Sequence, residues 1–223
     1  MTYKSILTIL TNPAEAELAI SSAARLAREL DAHLDILALG IDRTQIGYSY
    51  RGASPIMIEA GLERAAEDAK AIEKAANAAI AEQFSDLRYS VESMVTQLGM
   101  VNDIAAGRAR FADLVVQPRP YGIGAGVEAE AVIEAVLFGA QAPVLVLPET
   151  GLGENTLPKR IVLAWNQSNE AMTATRSAMP FLKGAESVSI TVVDPQNLGD
   201  DRSDPGGMLC QMLVRHKVHA DVA

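Results

Sequence analysis

The chain has 223 residues, a length that allows one large domain or two small ones. Hydrophobic residues make up 49% and charged residues 21%, the balance of a globular protein rather than of a disordered or fibrous one. The formal net charge of -9 argues against a nucleic-acid or anionic-membrane partner, because either requires a basic surface. The single cysteine, Cys210, allows no internal disulfide, and no apolar run is long enough to cross a bilayer, so we expect a cytoplasmic protein.

The amino-terminal segment predicts a strand followed by a helix that covers it. Residues 6–10 form a short run rich in β-branched residues that stops before Asn12-Pro13, as a buried parallel strand does. Pro13 suits the first turn of a helix, and between residues 14 and 30 apolar residues recur at steps of three and four.

The same alternation continues as far as Pro148. It predicts further strands at 34–41, 89–95, 113–117 and 144–147, and helices at 58–80, 101–111 and 127–138, the last closed by Gly139. Strict alternation of strands and helices implies a parallel sheet that is covered on both faces through right-handed crossovers.

The pattern restarts after a polar, glycine-bearing stretch at 149–155. Residues 159–164 repeat residues 4–9 at a separation of 155. A repeated first helix is predicted at 171–182, a second strand at 188–193, a shortened helix at 208–214 and the start of a third strand at 218–222. The predicted organisation is a complete repeat at 1–149, a linker at 150–158 and a partial second repeat at 159–223.

Three segments together resemble the universal stress protein family: the strand at 6–10, the sequence Arg160-Ile-Val-Leu-Ala-Trp-Asn-Gln-Ser-Asn-Glu-Ala171, and the ending Ala142-Pro-Val-Leu-Val-Leu-Pro148. The chain is similar to a tandem member whose second repeat is incomplete. The resemblance implies an adenine-nucleotide-hydrolase-like α/β fold, with a parallel five-stranded sheet in the order 3-2-1-4-5, helices on both faces and a partial second copy. It also implies that repeats pair through their fifth strands.

The resemblance implies where a nucleotide would bind, since the family contains both nucleotide binders and non-binders. Ligands of such sheets lie at the carboxyl edge where the strand order reverses, here between the first and fourth strands. Binders have an aspartate at the tip of the first strand, whereas this chain has Thr11 in the first repeat and Asn166 in the second. Asn166 keeps the donor and acceptor groups of an amide, but Thr11 followed by Asn12 is a larger departure.

Binders also have glycines and a Gly-Ser or Gly-Thr pair before the last helix, whose amides and hydroxyl hold phosphate. The corresponding loop here has Gly122, Gly124 and Gly126, but Glu130 and an alanine stand where the Gly-Ser pair is expected. Acidic residues at the amino end of this helix already balance the positive end of the helix dipole, and their negative charge repels phosphate. The glycines predict a structural turn, with phosphate binding as the alternative.

Histidines and serines offer weaker candidates for chemistry. His33, His216 and His219 lack a further ligand of the type that a metal site requires, and exposed loop positions suit them better. No serine lies in a nucleophile elbow with a matching histidine, so a hydrolase triad is not predicted.

Charged residues near the glycine loop have a structural and a functional interpretation. Glu128, Glu130 and Glu134 fit the solvated side of one helix better than a catalytic pair of carboxylates. Arg119, at the tip of the fourth strand, can meet an anion and Tyr121 can stack on a ring, although both also fit as ordinary loop residues.

The second repeat has the first three strands of the template and lacks the fourth and fifth, so its first strand is predicted as an open edge with apolar side chains. A neighbouring chain or the first repeat covers this edge, or the sequence is a fragment of a longer tandem protein, and we favour the fragment. The fifth strand of the first repeat also lacks its partner within the chain, so we predict a homodimer by antiparallel pairing of Val144, Leu145, Val146 and Leu147 between two chains.

The leading hypothesis is a non-catalytic stress-response module, a binding or scaffold protein with no cofactor and no ATP in its first repeat. The alternative is a regulatory switch that binds ATP or AMP. An enzyme on the same fold is a third class, and no nucleophile, base or metal constellation in the sequence favours it. The candidate pocket consists of Thr11, Asn12, Arg119, Gly122, Gly124, Gly126 and Asn166.

Overall fold

A computed structural model of the chain describes residues 2–44, 55–122, 126–154, 156–192 and 205–223. These residues form two compact units, Tyr3–Thr156 and Leu157–Ala223. Each unit contains its own parallel sheet and its own apolar core. The division between the units falls inside the stretch 150–158.

The first unit contains a five-stranded sheet. Its strands are β1 Ser5–Leu10, β2 His33–Asp42, β3 Tyr89–Gln97, β4 Leu114–Gln117 and β5 Val144–Val146. They are ordered β3-β2-β1-β4-β5 and every pair of neighbours is parallel, which confirms the fold class and the strand order that the sequence predicts.

Helices connect these strands: α1 Pro13–Glu29, α2 Pro55–Gln83, α3 Val101–Ala109 and α4 Val127–Glu134. Pro13 lies in the first turn of α1, as predicted. Gly40 allows α2 to pack directly on β2, since a Cβ at this position would lie 1.9 Å from the carbonyl oxygen of Ala65.

The two faces of the first sheet are both covered. Successive strand residues point to opposite faces. Leu7, Ile9 and Leu37 lie in an apolar core together with buried side chains of α3 and α4. Gly40 belongs to the opposite face of β2, against which α2 packs. Burial on both faces explains why β1, β2 and β4 have nearly continuous apolar sequences, whereas the edge strand β3 is largely exposed and more polar.

The last helix of the first unit differs from the prediction of an α-helix at 127–138 closed by Gly139. α4 ends at Glu134 and continues as a π-helical turn, Ala135–Ala140, which stops at Gln141 with a left-handed φ of 56°. Gly139 instead provides space for helix packing, because a Cβ there would lie 2.8 Å from the Cβ of Ala106 in α3.

The second unit contains the strands β6 Arg160–Ala164, β7 Ser187–Thr191 and β8 Ala220–Val222. They form a parallel sheet in the order β6-β7-β8, which confirms a partial second copy of the first three strands. Trp165 lies in the apolar core of this unit with Leu163 and Ile190, and its indole N–H donates to the carbonyl of Pro205 at 3.1 Å. Residue 193 of the predicted strand lies outside the described residues.

The predicted helix at 171–182 is two helices. α5 Asn169–Ser177 and α6 Met179–Gly184 meet at Ala178, and Pro180 lies in the first turn of α6. Proline has no N–H to continue the helical hydrogen bonds and its ring clashes with the preceding turn, so a single helix is broken here. The shortened helix that the sequence predicts near 208–214 is α7 Gly207–Arg215.

Candidate functional site

The carboxyl edge of the first sheet brings together the strand tips at which open α/β sheets bind ligands. Thr11 and Asn12 follow β1, and α4 starts on the same edge after the loop that leaves β4. A crevice lies between them, lined by Thr11, Asn12, Gln117 and Ala129 among other residues. Its volume is about 10 Å³, which is about the room that one water molecule needs.

Asn12 caps the first helix. Its side-chain oxygen accepts a hydrogen bond from the backbone N–H of Ala14 at 3.0 Å, and its backbone is extended with φ -124° and ψ 114°. Asparagine is among the best residues for this position, because its side chain satisfies an amide that the helix leaves unpaired. The side chain predicted as a nucleotide ligand therefore has a structural partner.

Gln117 joins the tips of β1 and β4. The backbone register of these strands pairs Ile6 with Leu114 and Leu7 with Val115, and beyond that point the strands separate. The Gln117 amide, oriented by its hydrogen bonds, donates to the carbonyl of Ile9 and accepts from the N–H of Ile9, both at 2.8 Å. A buried side chain thus continues the ladder in the space between the strands. Its one sequence signal is a polar residue that ends an apolar strand.

Glu128 is buried, and the prediction that it lies on the solvated side of its helix is wrong. Its side chain is 5% exposed and pairs with the guanidinium of Arg43, which directly follows β2. Arg43 also lies 3.9 Å from the carboxylate of Asp68 in α2. Glu130 and Glu134 are exposed, as predicted. No sequence pattern marks Arg43 as the partner of Glu128, because the two residues are 85 positions apart.

Gly126 makes room for this carboxylate at the start of α4. A Cβ at Gly126 would lie 2.2 Å from Oε2 of Glu128, so the side chain of Glu128 folds back over the residue that caps the helix. The amino end of a helix attracts anions through its free amides and its dipole. An internal carboxylate lies at this position, beside the cation from β2.

Arg119 and Gly122 also have structural partners. The Arg119 guanidinium pairs with the carboxylate of Glu149, which follows β5. Gly122 has a φ of 116°, a conformation that favours glycine, and a Cβ there would lie 2.9 Å from Nη2 of Arg119. Gly124 lies outside the described residues. The chain bends at Gly122, and the rest of the predicted glycine turn, residues 123–125, lies outside the described residues.

Another carboxylate, that of Asp42, lies at the carboxyl end of β2 and accepts hydrogen bonds that stabilise its negative charge. Asp42 ends β2, is buried, and accepts a hydrogen bond from the N–H of Thr44 at 2.9 Å. Hydrogen bonds from the side chain and backbone of Thr44 hold the pKa of Asp42 below its usual value.

In the second unit, Asn166 is exposed at the tip of β6 and supports the start of α5. Its side-chain oxygen accepts from the N–H of Ser168 at 3.0 Å, and the Ser168 hydroxyl caps the helix by accepting from the N–H of Ala171 at 3.1 Å. Asn166 thus serves a turn in this unit.

The histidines do not gather with other ligands. His33 lies 3.5 Å from the carboxylate of Asp35 at the start of β2, whereas His216 and His219 are exposed in the second unit. Over the described ranges, no group of three or more His, Cys, Asp and Glu side chains is placed to hold a metal ion. No helix within those ranges is long and apolar enough to span a membrane.

Known structures share this architecture. A crystal structure of a universal stress protein from Archaeoglobus fulgidus DSM 4304 matches with a TM-score of 0.56 and 13% sequence identity, over 98% of this chain and 76% of that chain. The chain has the universal stress protein fold. A protein from the universal stress protein family from Burkholderia pseudomallei matches with a TM-score of 0.44 and 21% identity, over 66% of this chain and 96% of that chain.

A universal stress protein from Archaeoglobus fulgidus in complex with dAMP matches with a TM-score of 0.35 and 18% identity, over 66% of this chain and 98% of that chain. No protein-family model matches the chain. No curated protein matches it either. The match with a TM-score of 0.56, at 13% identity, shows the fold alone.

Proposed function

We propose that the chain is a cytoplasmic universal stress protein, a non-catalytic module that binds or scaffolds other proteins in a stress response and leaves the crevice of its first unit without nucleotide. The observation that carries this proposal is the buried carboxylate of Glu128, which lies at the amino end of α4 and pairs with Arg43. The ordered strand endings that resemble the family support the assignment to it.

Charge argues against a phosphate at this edge. A phosphate group at the amino end of α4 would meet the carboxylate of Glu128, while the cation beside that carboxylate, Arg43, already has Glu128 and Asp68 as partners. Displacing Glu128 from Arg43 would leave a buried carboxylate without a partner, which is strongly unfavourable. Space argues the same way, because a crevice of about 10 Å³ is far below the roughly 300 Å³ or more that small-molecule sites offer.

The polar groups of the edge support a non-catalytic role. Asn12 caps a helix, Gln117 bonds the backbone of β1, and Glu128 is paired. Side chains that act as general bases or nucleophiles need a free lone pair directed at substrate. Asn12, Gln117 and Glu128 instead direct lone pairs at protein groups on this edge of the sheet.

Calorimetric titration of the full chain with ATP and with AMP tests the proposal. We expect no binding heat at nucleotide concentrations up to about 1 mM, a limit that corresponds to roughly -4 kcal/mol of binding free energy. Mass spectrometry of the denatured protein is a second readout, with no copurified nucleotide expected. Stoichiometric binding of either nucleotide would support the regulatory switch instead.

We also propose that two chains pair through β5, as an antiparallel continuation of the first sheet through Val144, Leu145, Val146 and Leu147. Val146 is 44% exposed on this edge strand, and unpaired strand edges readily accept another strand. Sedimentation equilibrium should show a dimer, and Val146→Lys should shift it to monomer. Val162→Lys on the edge strand β6 is the matched control and should leave the dimer intact. A wild-type chain that stays monomeric at high concentration would exclude the pairing.

A further inference from the structure

A second cavity of the first unit lies between α1 and the segments that follow β4 and β5. Its volume is about 140 Å³. Leu18 and Ala19 of α1 line it together with Leu147, and Pro118 and Pro148 complete the apolar part of its wall. A dry apolar cavity of about 150 Å³ holds one benzene ring. The cavity therefore has the size and the lining for a single six-membered ring.

The polar part of the wall carries an excess of negative charge. Glu15 and Glu149 contribute carboxylates and Arg119 contributes one guanidinium, which already pairs with Glu149. Glu15 is half-buried at the start of α1, and no cation of the described residues lies within ion-pair distance of it. Burial raises the pKa of Glu15, and a hydrogen bond with the Asn12 side chain opposes that effect.

The charged groups that line this cavity favour binding of a cation over binding of an anion. An ammonium group beside Glu15 would give a half-buried carboxylate the charged donor that it lacks, and hydrogen bonds between charged groups are the strong ones. An anion would meet two carboxylates and would have to displace Glu149 from Arg119. Tyr121, 61% exposed at the rim, adds an aromatic face of the kind that attracts cations.

We propose that this cavity binds a small organic ammonium ion that bears one ring, with the ring against Leu18 and Leu147 and the ammonium group at Glu15. The cavity adjoins the crevice between β1 and β4, because Glu15 and Pro118 line both, whereas Leu18 and Leu147 line the cavity alone. The Glu15 carboxylate also forms a hydrogen bond with the side chain of Asn12, the N-cap of α1, so the same carboxylate would support the helix start and hold the ligand.

Titration of the full chain at pH 7 with benzylammonium, benzyl alcohol and benzoate tests the proposal by calorimetry or by ligand-observed NMR. These probes share one ring and differ in charge. We expect benzylammonium to bind about tenfold more tightly than benzyl alcohol, since hydrogen bonds to charged groups contribute most. Benzoate should show no binding. Equal affinity for the three probes, or tightest binding of benzoate, would overturn the proposal.

Glu15→Gln and Glu17→Gln form the matched pair of variants. Glutamine has nearly the size of glutamate and keeps a side-chain oxygen that can accept a hydrogen bond from Asn12, so Glu15→Gln should fold, and a thermal melt checks this. It should weaken benzylammonium about tenfold and leave benzyl alcohol unchanged. Glu17 is exposed on the same helix, and its replacement should change neither probe. Full benzylammonium affinity in Glu15→Gln, or an equal loss in both variants, would contradict the assignment of Glu15.

Discussion

The two units start in the same way. Lys4 pairs with Asp31 at 2.8 Å in the first unit, and Lys159 pairs with Glu186 at 3.2 Å in the second, each pair joining the start of a first strand to the segment before a second strand. The strand registers also agree, because Ile6 pairs with Leu34 as Ile161 pairs with Val188. The sequence repeat at a separation of 155 is therefore also a repeat of contacts.

The two units differ on one face of their sheets, namely the face that α3 and α4 cover in the first unit. Leu7 is 5% exposed there, whereas Val162, its equivalent in β6, is 72% exposed. Leu37 of β2 belongs to the apolar core, whereas Thr191 stands at the equivalent position of β7. The composition of β7 follows the packing, because Ser189 and Thr191 lie on this face, whereas β6 keeps the apolar Val162 there although it is exposed.

Truncating the side chains at two equivalent positions, Leu37 and Thr191, should give the largest difference in stability loss between the two units. Leu37→Ala removes a buried side chain from between two layers and should destabilise the first unit by about 2–5 kcal/mol. Thr191→Ala should change the second unit by less than about 0.5 kcal/mol, as surface substitutions do. Hydrogen exchange of peptides from β2 and β7 in increasing urea reads the two units separately. Similar losses at both positions would show that the faces are equally buried.

Removal of the helix caps should lower stability by a smaller amount than Leu37→Ala, and by about the same amount in the two units. Asn12→Ala and Ser168→Ala each remove a side-chain bond to the first turn of the helix and should cost about 1 kcal/mol. Asn12→Ser should retain most of the stability, because serine also caps well. Urea unfolding measures each change. An Asn12→Ala variant as stable as the wild type would mean that this side chain is free for another role.

The ion pairs at the start of the strands should give the smallest effect and a defined dependence on pH. Lys4 donates a hydrogen bond to Asp31, and this bond together with the charge of Arg88 holds the pKa of Asp31 below its usual value. The resulting stability is complete above the unfolded-state pKa of about 3.9 and is lost as pH falls through the lower folded-state value.

Asp31→Asn should therefore lower the urea midpoint equally at pH 7 and pH 6, and the difference from the wild type should shrink below pH 4. Asparagine tolerates the left-handed φ of 52° at this position, so the substitution isolates the charge. Glu186→Gln in the second unit is the comparison and should have a smaller effect, because Lys159 is its ion-pair partner whereas Asp31 has two. A loss for Asp31→Asn that grows toward acid pH would contradict this assignment.

The fold followed from local patterns. Runs of β-branched residues, apolar spacing of three and four, and the restart at residue 159 predicted a parallel α/β sheet and the partial second copy, whereas the strand order was implied by the resemblance to the universal stress protein family. Where prediction failed, a single residue decided: Pro180 breaks one helix, and Gly139 serves packing against Ala106 instead of ending another. Such effects depend on one ring or one missing Cβ, which a periodic pattern does not show.

The candidate site was less predictable, because its decisive contacts join distant parts of the chain. The acidic character of the start of α4 was predicted, but the burial of Glu128 and its pairing with Arg43 were not. Gln117 and Glu149 were likewise missed as partners of Ile9 and Arg119. Each of these contacts forms only when the sheet brings separate strand ends to one edge.

The central claim is that the carboxylate of Glu128 occupies the place at the amino end of α4 where a bound phosphate would otherwise lie. Parallel calorimetric titrations of ATP into the wild type, Glu128→Ala and Glu130→Ala test it most directly. Glu128→Ala frees Arg43 and the amino end of α4, so this variant should gain binding to ATP, while the wild type and the exposed-residue control Glu130→Ala should show none. Binding of ATP by the wild type with an affinity that Glu128→Ala leaves unchanged would contradict the account.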